Sequence, residues 1–385
     1  MIKGLFPIDK FKRLRTPFYY YDCDVIRNTI QEIKHWSSFS NYHIHYAVKA
    51  NANERILACL ANYGFGADCV SGGEIEASIN AGFKSSEIVF AGVGKADWEI
   101  ELALKNDISC FNVESLPELA VINNLACKHN KIASIALRIN PDVDAHTHSY
   151  ITTGLKENKF GFNLSKIDEA VDLIKKSSNI KLIGLHFHIG SQITDLTVFQ
   201  HLCIRINDIQ DSLEKQGIGV EHINVGGGLG INYQHPNHIP IADFEGYFKV
   251  FGSYLNLRPN QQLHFELGRS IVAQCGSLIT KVLYVKQGEV KQFAIVDAGM
   301  TDLIRPALYN AYHHIENISS DGSIEEYEVV GPICESSDVF GKSVALNHTE
   351  RGDLLAIRST GAYGETMASR YNLRQLPSSF FSDEI

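Results

Sequence analysis

Four groups of residues that could take part in chemistry lie at the ends of short apolar runs. Lys49 follows "HIHYAV", His188 follows "LIGLHF", the glycine run 226–230 ("GGGLG") follows "HINV", and Glu266 lies in "LHFELGR". An amine can form a Schiff base with an aldehyde, glycine amides can approach a phosphate, and a carboxylate can keep a pyridine nitrogen protonated. A histidine ring can stack on a flat cofactor. Together these groups indicate pyridoxal phosphate chemistry.

Each of these residues, taken alone, has an ordinary structural interpretation. A lysine at a strand end usually extends its amine into solvent, and a glycine run is more often a tight turn than a phosphate site. A lone histidine is usually a hydrogen-bonded core or surface group, and Glu266 could simply pair with Arg269. The chemical hypothesis therefore depends on whether the fold brings the groups together.

The order of apolar runs predicts the fold that would do so. Eight short β-rich runs alternate with segments whose apolar residues recur every three to four positions, which is typical of helices. The eight runs are "HIHYAV", "GADCV", "IVFAG", "SCFNV", "SIALRIN", "LIGLHFHIG", "HINVGGG" and "LHFELG". Repeated strand–helix alternation predicts a (β/α)8 TIM-like barrel, and no GxGxxG follows an early strand as a doubly wound fold would require.

The domain organisation follows from a change of pattern after about residue 270. Later segments such as "LITKVLYVKQ" and "DLLAIRSTGAYG" alternate like strands, and "TPFYYYD" near the N-terminus has the same character. We therefore predict a barrel over 24–270 and a β-rich domain, a sandwich or barrel, from 1–23 and 271–385. Because the reacting groups of such barrels sit at the carboxyl ends of strands, Lys49, His188, the glycine run and Glu266 are expected on one face.

Composition limits the possible partners and location. The formal net charge is −9 with no Lys or Arg cluster, which argues against nucleic acid and favours small metabolites. We identify no signal peptide and no apolar stretch of about 18 residues, so we expect no membrane association. The eight cysteines are scattered without a CxxC pair, which indicates reduced thiols and a cytoplasmic location.

Six motifs in order identify a family. They are "YAVKAN", "FHIGSQ", "NVGGGLGI", "MTDLIRPALYNAYH", "VVGPICESSDVF" and "GAYGETMASRYN", and they extend from about Pro17 to Asn372. The sequence resembles the diaminopimelate decarboxylases, within the alanine-racemase-like group (fold type III) of pyridoxal-phosphate enzymes. The resemblance implies decarboxylation of meso-2,6-diaminopimelate to L-lysine and CO2, the last step of lysine biosynthesis, by a homodimer with shared active sites.

The resemblance also implies roles for individual residues. Catalysis would use Lys49 as the Schiff-base lysine, His188 as the ring-stacking residue and Cys334 of the second subunit as the proton donor. The cofactor would further contact the following residues: Asp68, Ser191, Gly227, Gly228, Glu266, Gly268, Arg269 and Tyr363. Substrate would contact Arg269, Arg305, Tyr309, Tyr363 and, from the second subunit, Glu335. No metal is expected.

The charges of these residues agree with the implied substrate. Diaminopimelate carries two carboxylates and two ammonium groups, and Arg269, Arg305 and Glu335 supply guanidinium groups and an acid to match. Ornithine would offer no distal carboxylate, so "RPALY" favours diaminopimelate. One departure from the family is visible. Leu267 in "ELGR" stands where the family usually has proline, which affects the rigidity of the loop rather than the assignment.

Several alternatives stay open at this point. A sister decarboxylase of the same fold could act on ornithine, arginine or carboxynorspermidine. A racemase would need a tyrosine as second base, and a non-catalytic binding homologue should have lost Lys49 or Cys334. Asp68 could lie beside Lys49 or His188, or be purely structural. The histidine pairs of "YHIHY" and "HTHSY" could place two rings on one strand face, but no carboxylate or thiol set completes a metal site.

Overall fold

The structure is a computed structural model that describes residues 6–38, 41–143 and 159–385. His146 and His148 of "HTHSY", and most of the segment "HSYITTGLKENKFG", lie outside the described residues. Two compact units are formed by the described residues. The described residues within Met1–Thr29, Ile231–Ala242 and Arg269–Ile385 form one unit, and those within Ile30–Gly230 and Asp243–Gly268 form the other. They are called the β-rich unit and the barrel unit.

The described chain begins with a short helix, a strand and a longer helix. These are α1 (Ile8–Phe11), β1 (Phe18–Tyr21) and α2 (Cys23–Ser37). Eight parallel strands then close into a barrel in sequence order: β2 (Tyr42–Ala47), β3 (Gly66–Cys69), β4 (Ile88–Phe90), β5 (Cys110–Val113), β6 (Ala133–Arg138), β7 (Ile180–His186), β8 (His222–Asn224) and β9 (Gln262–Leu267). The predicted (β/α)8 barrel is confirmed, and each of its strands overlaps one of the eight predicted runs.

Helices connect the barrel strands as the apolar spacing predicts. They are α3 (Glu54–Asn62), α4 (Gly72–Asn80), α5 (Asp97–Lys105), α6 (Leu116–Lys128), α7 (Ile167–Lys176), α8 (Thr197–Glu214) and α9 (Phe244–Tyr254). Several begin at a residue whose side chain accepts a hydrogen bond from a free backbone N–H of the first turn. Ser71 accepts from the amide of Glu74, and Asp243 accepts from the amide of Gly246. These caps fix where each helix starts after its strand.

The β-rich unit is an eight-stranded sheet. Its further elements are α10 (Arg269–Val272), β10 (Gly276–Gln287), β11 (Gln292–Val296), α11 (Arg305–Tyr309), β12 (Ile315–Asn317), β13 (Ile324–Val330), β14 (Val339–Asn347), β15 (Leu354–Ile357) and β16 (Ser378–Phe381). The sheet order is β12-β15-β10-β11-β13-β14, and β1 pairs with β10 and β16. The predicted β-rich fold of this region is therefore confirmed, including the strand in "TPFYYYD".

Aromatic packing holds β1 in this sheet. Phe11 packs edge-on against Phe18 and Tyr20, with ring centroids 5.2 and 5.0 Å apart, and all three rings are buried. Ile279 of β10 and Leu354 of β15 complete the same cluster. Because burial of apolar area contributes about 25 cal/mol per Å2, this cluster stabilises the unit.

Histidines line part of the barrel interior. Side chains two residues apart on a strand share a face, so His264 lies on the same interior face of β9 as Glu266. Its ring stacks on His43 at 4.8 Å and on His45 at 5.1 Å, and lies 4.5 Å from His222. Among the described residues, no group of three or more His, Cys, Asp or Glu side chains is arranged to hold a metal.

Hydrogen bonds define the proton positions in this histidine stack. His45 Nδ1 lies 3.1 Å from the carbonyl oxygen of Glu87, which can only accept, so Nδ1 carries the proton. Burial lowers the pKa of His45 to about 4, which keeps the ring neutral at pH 7. Its Nε2 therefore accepts from His264 Nδ1 at 2.8 Å. This pattern of hydrogen bonds therefore requires His45 to be an uncharged imidazole.

Within the described part of the chain, no helix is long and apolar enough to cross a membrane.

The histidine stack predicts acid sensitivity. Unfolded His45 binds a proton below about pH 6.5, whereas folded His45 does so only near pH 4. The unfolded state therefore binds more protons in this window, and stability should fall as pH decreases through it, by about 3 kcal/mol for this one group. Urea unfolding at pH 7 and pH 5 should show about 2 kcal/mol of this loss, because pH 5 lies within the window, and His45→Gln should reduce it.

A surface histidine provides the control. Glu325 accepts from the exposed His348 and raises its pKa, so this ring favours the folded state at low pH. His348→Gln should therefore change the pH dependence only slightly and with the opposite sign. An equal acid sensitivity of wild type and His45→Gln would contradict the interpretation of the stack.

Candidate active site

Glu266 is a buried carboxylate at the centre of the candidate site. Its Oε1 accepts from Asn112 Nδ2 at 3.0 Å and from Asn224 Nδ2 at 2.8 Å, and its Oε2 lies 2.9 Å from His186 Nε2. Burial alone would raise its pKa, but His186 and the Lys49 ammonium hold the pKa of the carboxyl well below its usual range. The group is therefore an anion at neutral pH. A buried carboxylate of this kind can bind a protonated ring nitrogen.

Lys49 lies in a 3-10 turn, Val48–Ala50, directly after β2. Its Nζ donates to Asp68 Oδ2 at 2.6 Å. The two side chains can meet because Ala47 of β2 pairs with Asp68 of the parallel strand β3. The Lys49 side chain is 33% exposed, whereas the Asp68 side chain is fully buried. The structure therefore places Asp68 beside the lysine, the first of the alternatives that the sequence left open.

The second carboxylate oxygen of Asp68, Oδ1, is buried and, within the described residues, accepts no hydrogen bond. Burial first, and then the nearby Glu266 charge, raise the pKa of Asp68, while Lys49 opposes this shift. A buried acceptor without a donor is costly unless a ligand or water supplies one. The amine and this oxygen together fit a polar ligand that ends at Lys49.

His188 supplies a neutral ring. It is half-buried just after β7, and burial, followed by the charges of Arg138 and Lys49, lowers its pKa to about 3. An uncharged imidazole can stack on an aromatic ring without adding charge to it. Ser191, three residues further along the chain, is also half-buried.

The glycine run after β8 combines close backbone packing with free amides. Gly226 has φ +69°, and a Cβ added to Gly227 would lie 2.2 Å from the carbonyl oxygen of Glu266. The amide of Glu266 donates to the carbonyl of Gly226 at 2.8 Å. Within the described residues, the amides of Gly227 and Gly228 donate no hydrogen bond. Bare amides at the carboxyl end of a barrel strand fit a phosphate group.

The glycine of "ELGR" lies at a second close approach. A Cβ added to Gly268 would lie 3.0 Å from the Cβ atoms of Ala47 and Ala50, which flank Lys49 in sequence. Leu267 is buried and pairs with Tyr46, so it extends β9 as an ordinary strand residue. The departure from the family's usual proline therefore fits the strand geometry without strain.

The remaining predicted residues belong to the β-rich unit. Arg269 and Arg305 are both buried, and their NH1 atoms each donate to the phenol oxygen of Tyr233 at 2.7 Å. Arg269 also lies over the ring of Tyr363, 4.9 Å from its centroid. Tyr309, at the end of α11, is half-buried. The structure thus brings Arg269, Arg305 and Tyr363 together around a tyrosine.

Tyr363 has an unusual backbone. Its φ is +57°, in the left-handed region that non-glycine residues rarely adopt. Such a conformation costs of order 1–3 kcal/mol and persists where the surroundings fix it, often at a functional site. Here it accompanies the ring contact with Arg269.

Cys334 and Glu335 are exposed at the surface of the β-rich unit. Their loop is nonetheless well defined, because Asp338 accepts from the amide of Ile333 at 2.7 Å and from the amide of Met300 at 2.6 Å. A fixed loop therefore presents an exposed thiol and carboxylate to the surroundings of the chain.

The sequence interpretation missed several residues of these clusters. Asn112, His186 and Asn224 hold Glu266, and Tyr233 holds the two arginines. Asn112 is the single polar residue of β5, and that signal could have marked it as an interior partner, whereas β7 and β8 also contain Lys181 and His222. Tyr233 follows the glycine run in "LGINYQHP" and has no comparable signal.

Comparison with known proteins provides an independent line of argument. Residues 25–273 match the family of the pyridoxal-dependent decarboxylase, pyridoxal binding domain. The diaminopimelate decarboxylase of Bacteroides thetaiotaomicron is 62% identical over 385 residues, covering 100% of both chains. That of Neisseria meningitidis serogroup B is 45% identical over 360 residues, 93% of this chain and 86% of the relative.

The chain belongs to the diaminopimelate decarboxylase family.

A solved structure of the family has the same fold. The crystal structure of diaminopimelate decarboxylase from Helicobacter pylori complexed with L-lysine matches with a TM-score of 0.92 and 43% identity, over 98% of this chain and 94% of that chain. The predicted family, the carboxy-lyase class and the pyridoxal phosphate cofactor are therefore confirmed. The roles of single residues stay predictions.

The close approach of Gly227 to Glu266 predicts a severe effect of Gly227→Ala. The added Cβ would displace the backbone that positions Glu266 and the free amides. We expect cofactor affinity to fall at least tenfold and the unfolding midpoint to decrease, measured by cofactor titration and thermal denaturation. Gly219→Ala is the matched control, because a Cβ there meets nothing within 4 Å. Equal cofactor affinity in the two variants would refute the argument.

Proposed function

We propose that the protein decarboxylates meso-2,6-diaminopimelate to L-lysine and CO2 with pyridoxal phosphate as cofactor. The observation that carries the substrate assignment is the pair of buried arginines. Arg269 and Arg305 share a phenol oxygen, and within the described residues Arg305 forms no ion pair with a carboxylate. Buried guanidinium charge is costly unless an anion binds it. A carboxylate of the ligand fits this requirement.

The chemistry of diaminopimelate agrees with such a pair. Decarboxylation at one end of the molecule leaves the other amino-acid end intact, so substrate and L-lysine share the same distal carboxylate. The L-lysine bound to the Helicobacter pylori relative supports this inference for the present chain. Ornithine and arginine carry a single carboxylate at the reacting carbon and would offer Arg305 no distal carboxylate.

The barrel residues fit the cofactor. Lys49 would be its covalent attachment point, with Asp68 beside the amine and His188 against the ring. Glu266 would hold the proton of the pyridine nitrogen, while Gly227, Gly228, Ser191, Gly268, Arg269 and Tyr363 would contact its phosphate end. When bound, pyridoxal phosphate withdraws the electron pair left on the carbon as CO2 departs.

The chain's own groups would complete the reaction. We infer that Arg269, Arg305, Tyr309 and Tyr363 bind the substrate, and that a D-configured centre loses CO2. The Cys334 thiol would deliver a proton to that carbon, which requires it to be neutral beforehand. Glu335 would bind the distal ammonium.

We further propose a homodimer in which Cys334 and Glu335 serve the site of the partner subunit. Their exposure on the single chain supports this arrangement. In this proposal the barrel domain, 24–270, holds the cofactor, and 1–23 with 271–385 contributes substrate and dimer contacts. We infer a cytoplasmic location, which the eight cysteines, none of them in a disulfide, support.

A substrate panel tests the proposed function. Purified protein should release CO2 from meso-diaminopimelate and far more slowly from ornithine or arginine.

Arg305→Ala should lower kcat/KM for diaminopimelate, because the carboxylate loses its charged partner. The decrease should correspond to a loss of about 2–5 kcal/mol in transition-state binding free energy. Arg351→Ala, which removes an arginine stacked on the exposed Tyr284 ring, is the control. Faster CO2 release from ornithine than from diaminopimelate, or an unchanged kcat/KM for diaminopimelate in Arg305→Ala, would overturn the assignment.

Subunit complementation tests the shared site. Lys49→Ala and Cys334→Ala proteins should each be nearly inactive, since every site lacks one group. After mixing, gentle unfolding and random reassociation, about half the dimers should be mixed, and about a quarter of all sites should contain both native groups. Each variant treated alone is the control. Mixed dimers verified by mass that release no CO2 would place the thiol and the lysine in one subunit.

A further inference from the structure

The phenol oxygen of Tyr233 is a shared acceptor for two cations. NH1 of Arg269 and NH1 of Arg305 both donate to it at 2.7 Å, and the Arg305 guanidinium also lies 5.2 Å from the Tyr233 ring centroid. Two guanidinium groups repel each other, more strongly where water is excluded. A single oxygen that both donate to holds them together against this repulsion.

The second partner of Arg305 is also uncharged. His313 Nδ1 lies 2.9 Å from the carbonyl oxygen of Arg358, so this nitrogen carries the proton. Burial and the charge of Arg305 lower the pKa of His313 to about 3, so the ring is neutral. Its Nε2 can therefore accept from Arg305 NH1 at 3.4 Å, and its ring packs edge-on against Tyr233 at 5.1 Å.

Neutral acceptors orient the arginines without cancelling their charge. A carboxylate in the place of Tyr233 would form an internal ion pair and compete with any anionic ligand. A phenol fixes the same N–H directions and leaves the positive charge available. The charges of both arginines lower the pKa of Tyr233 although burial would raise it, and it is the protonated phenol that leaves the positive charge available.

We propose that Tyr233 is a positioning residue that sets specificity, because it holds Arg269 and Arg305 as a pair that binds the distal carboxylate of the ligand. This inference rests on the proposed function. It predicts that Tyr233 affects the affinity only of ligands that carry this carboxylate, and that this effect depends on the arginines.

The test compares two ligands that differ by that one group. L-Lysine carries the carboxylate, and 1,5-diaminopentane is the same molecule without it. In Tyr233→Phe the ring and its packing remain, but the shared acceptor is lost. The inhibition constant of L-lysine should rise about tenfold, as expected for a hydrogen bond to a charged group, while that of 1,5-diaminopentane should change less than about twofold. KM for meso-diaminopimelate should rise about tenfold, with kcat within about threefold.

A double variant shows whether Tyr233 acts through Arg305. If it does, Tyr233→Phe added to Arg305→Ala should weaken L-lysine binding by less than about threefold, well below its effect in the wild type. Independent, multiplicative effects would refute the positioning role. Tyr284→Phe is the matched control, because it removes a hydroxyl from another tyrosine that stacks with an arginine, on the exposed surface. It should leave both inhibition constants unchanged.

The outcomes separate this inference from the proposed function. If wild type releases CO2 from diaminopimelate and binds L-lysine more tightly than 1,5-diaminopentane, the proposed function stands. In that case, an equal rise of both inhibition constants in Tyr233→Phe, or no rise of either, overturns only the role of Tyr233. If wild type does not distinguish the two ligands, the carboxylate site itself is wrong, and the inference fails with it.

Discussion

The buried negative charge of Glu266 is the constraint on which the barrel site depends. A carboxylate removed from water is stable only if hydrogen bonds replace its hydration. Here the donors come from three other strands, with Asn112 on β5, His186 on β7 and Asn224 on β8. Only the closed barrel therefore supplies the donors that stabilise this charge once it is buried. Closure of the barrel and stabilisation of the Glu266 carboxylate therefore occur together.

Neutral histidines are the second common feature. Burial lowers the pKa values of His45, His188 and His313, in two cases beside positive charge. Near Lys49 and Arg305, a neutral ring provides shape and a hydrogen-bond acceptor without adding or cancelling charge. The formal charges near these rings then belong to a few groups, among them Lys49, Arg138 and Glu266 in the barrel unit and the arginines in the β-rich unit. Ligand charge is the natural complement of those groups.

Much of this organisation could be predicted from the sequence, because strand ends of a (β/α)8 barrel converge on one face. Lys49, Asp68 and Glu266 follow from that rule, as does the glycine run. The rule does not specify which side chains satisfy them. Asn112 and Asn224 are separated from Glu266 by 154 and 42 positions, and only the closed barrel brings them together.

Two further properties depend on three-dimensional geometry. The sequence indicated that Gly227 and Gly228 could approach a phosphate. It could not show that Gly227 is also required by the carbonyl of Glu266, since that contact depends on the distance between two strands. Tyr233 was not identified, because a tyrosine after a glycine run has many ordinary functions. Its importance follows only from two arginines that are distant in sequence and share its oxygen.

The imidazole stack between β2, β8 and β9 has a thermodynamic consequence for the whole barrel. Barrel interiors are usually filled by branched aliphatic side chains, whose exposure on unfolding raises the heat capacity. Exposure of polar surface has the opposite sign, so an interior containing His43, His45, His222 and His264 lowers the heat-capacity increment of unfolding relative to an aliphatic one. A smaller increment flattens the curve of stability against temperature. At a given midpoint and enthalpy of unfolding, the flatter curve gives a broader temperature range over which the barrel stays folded.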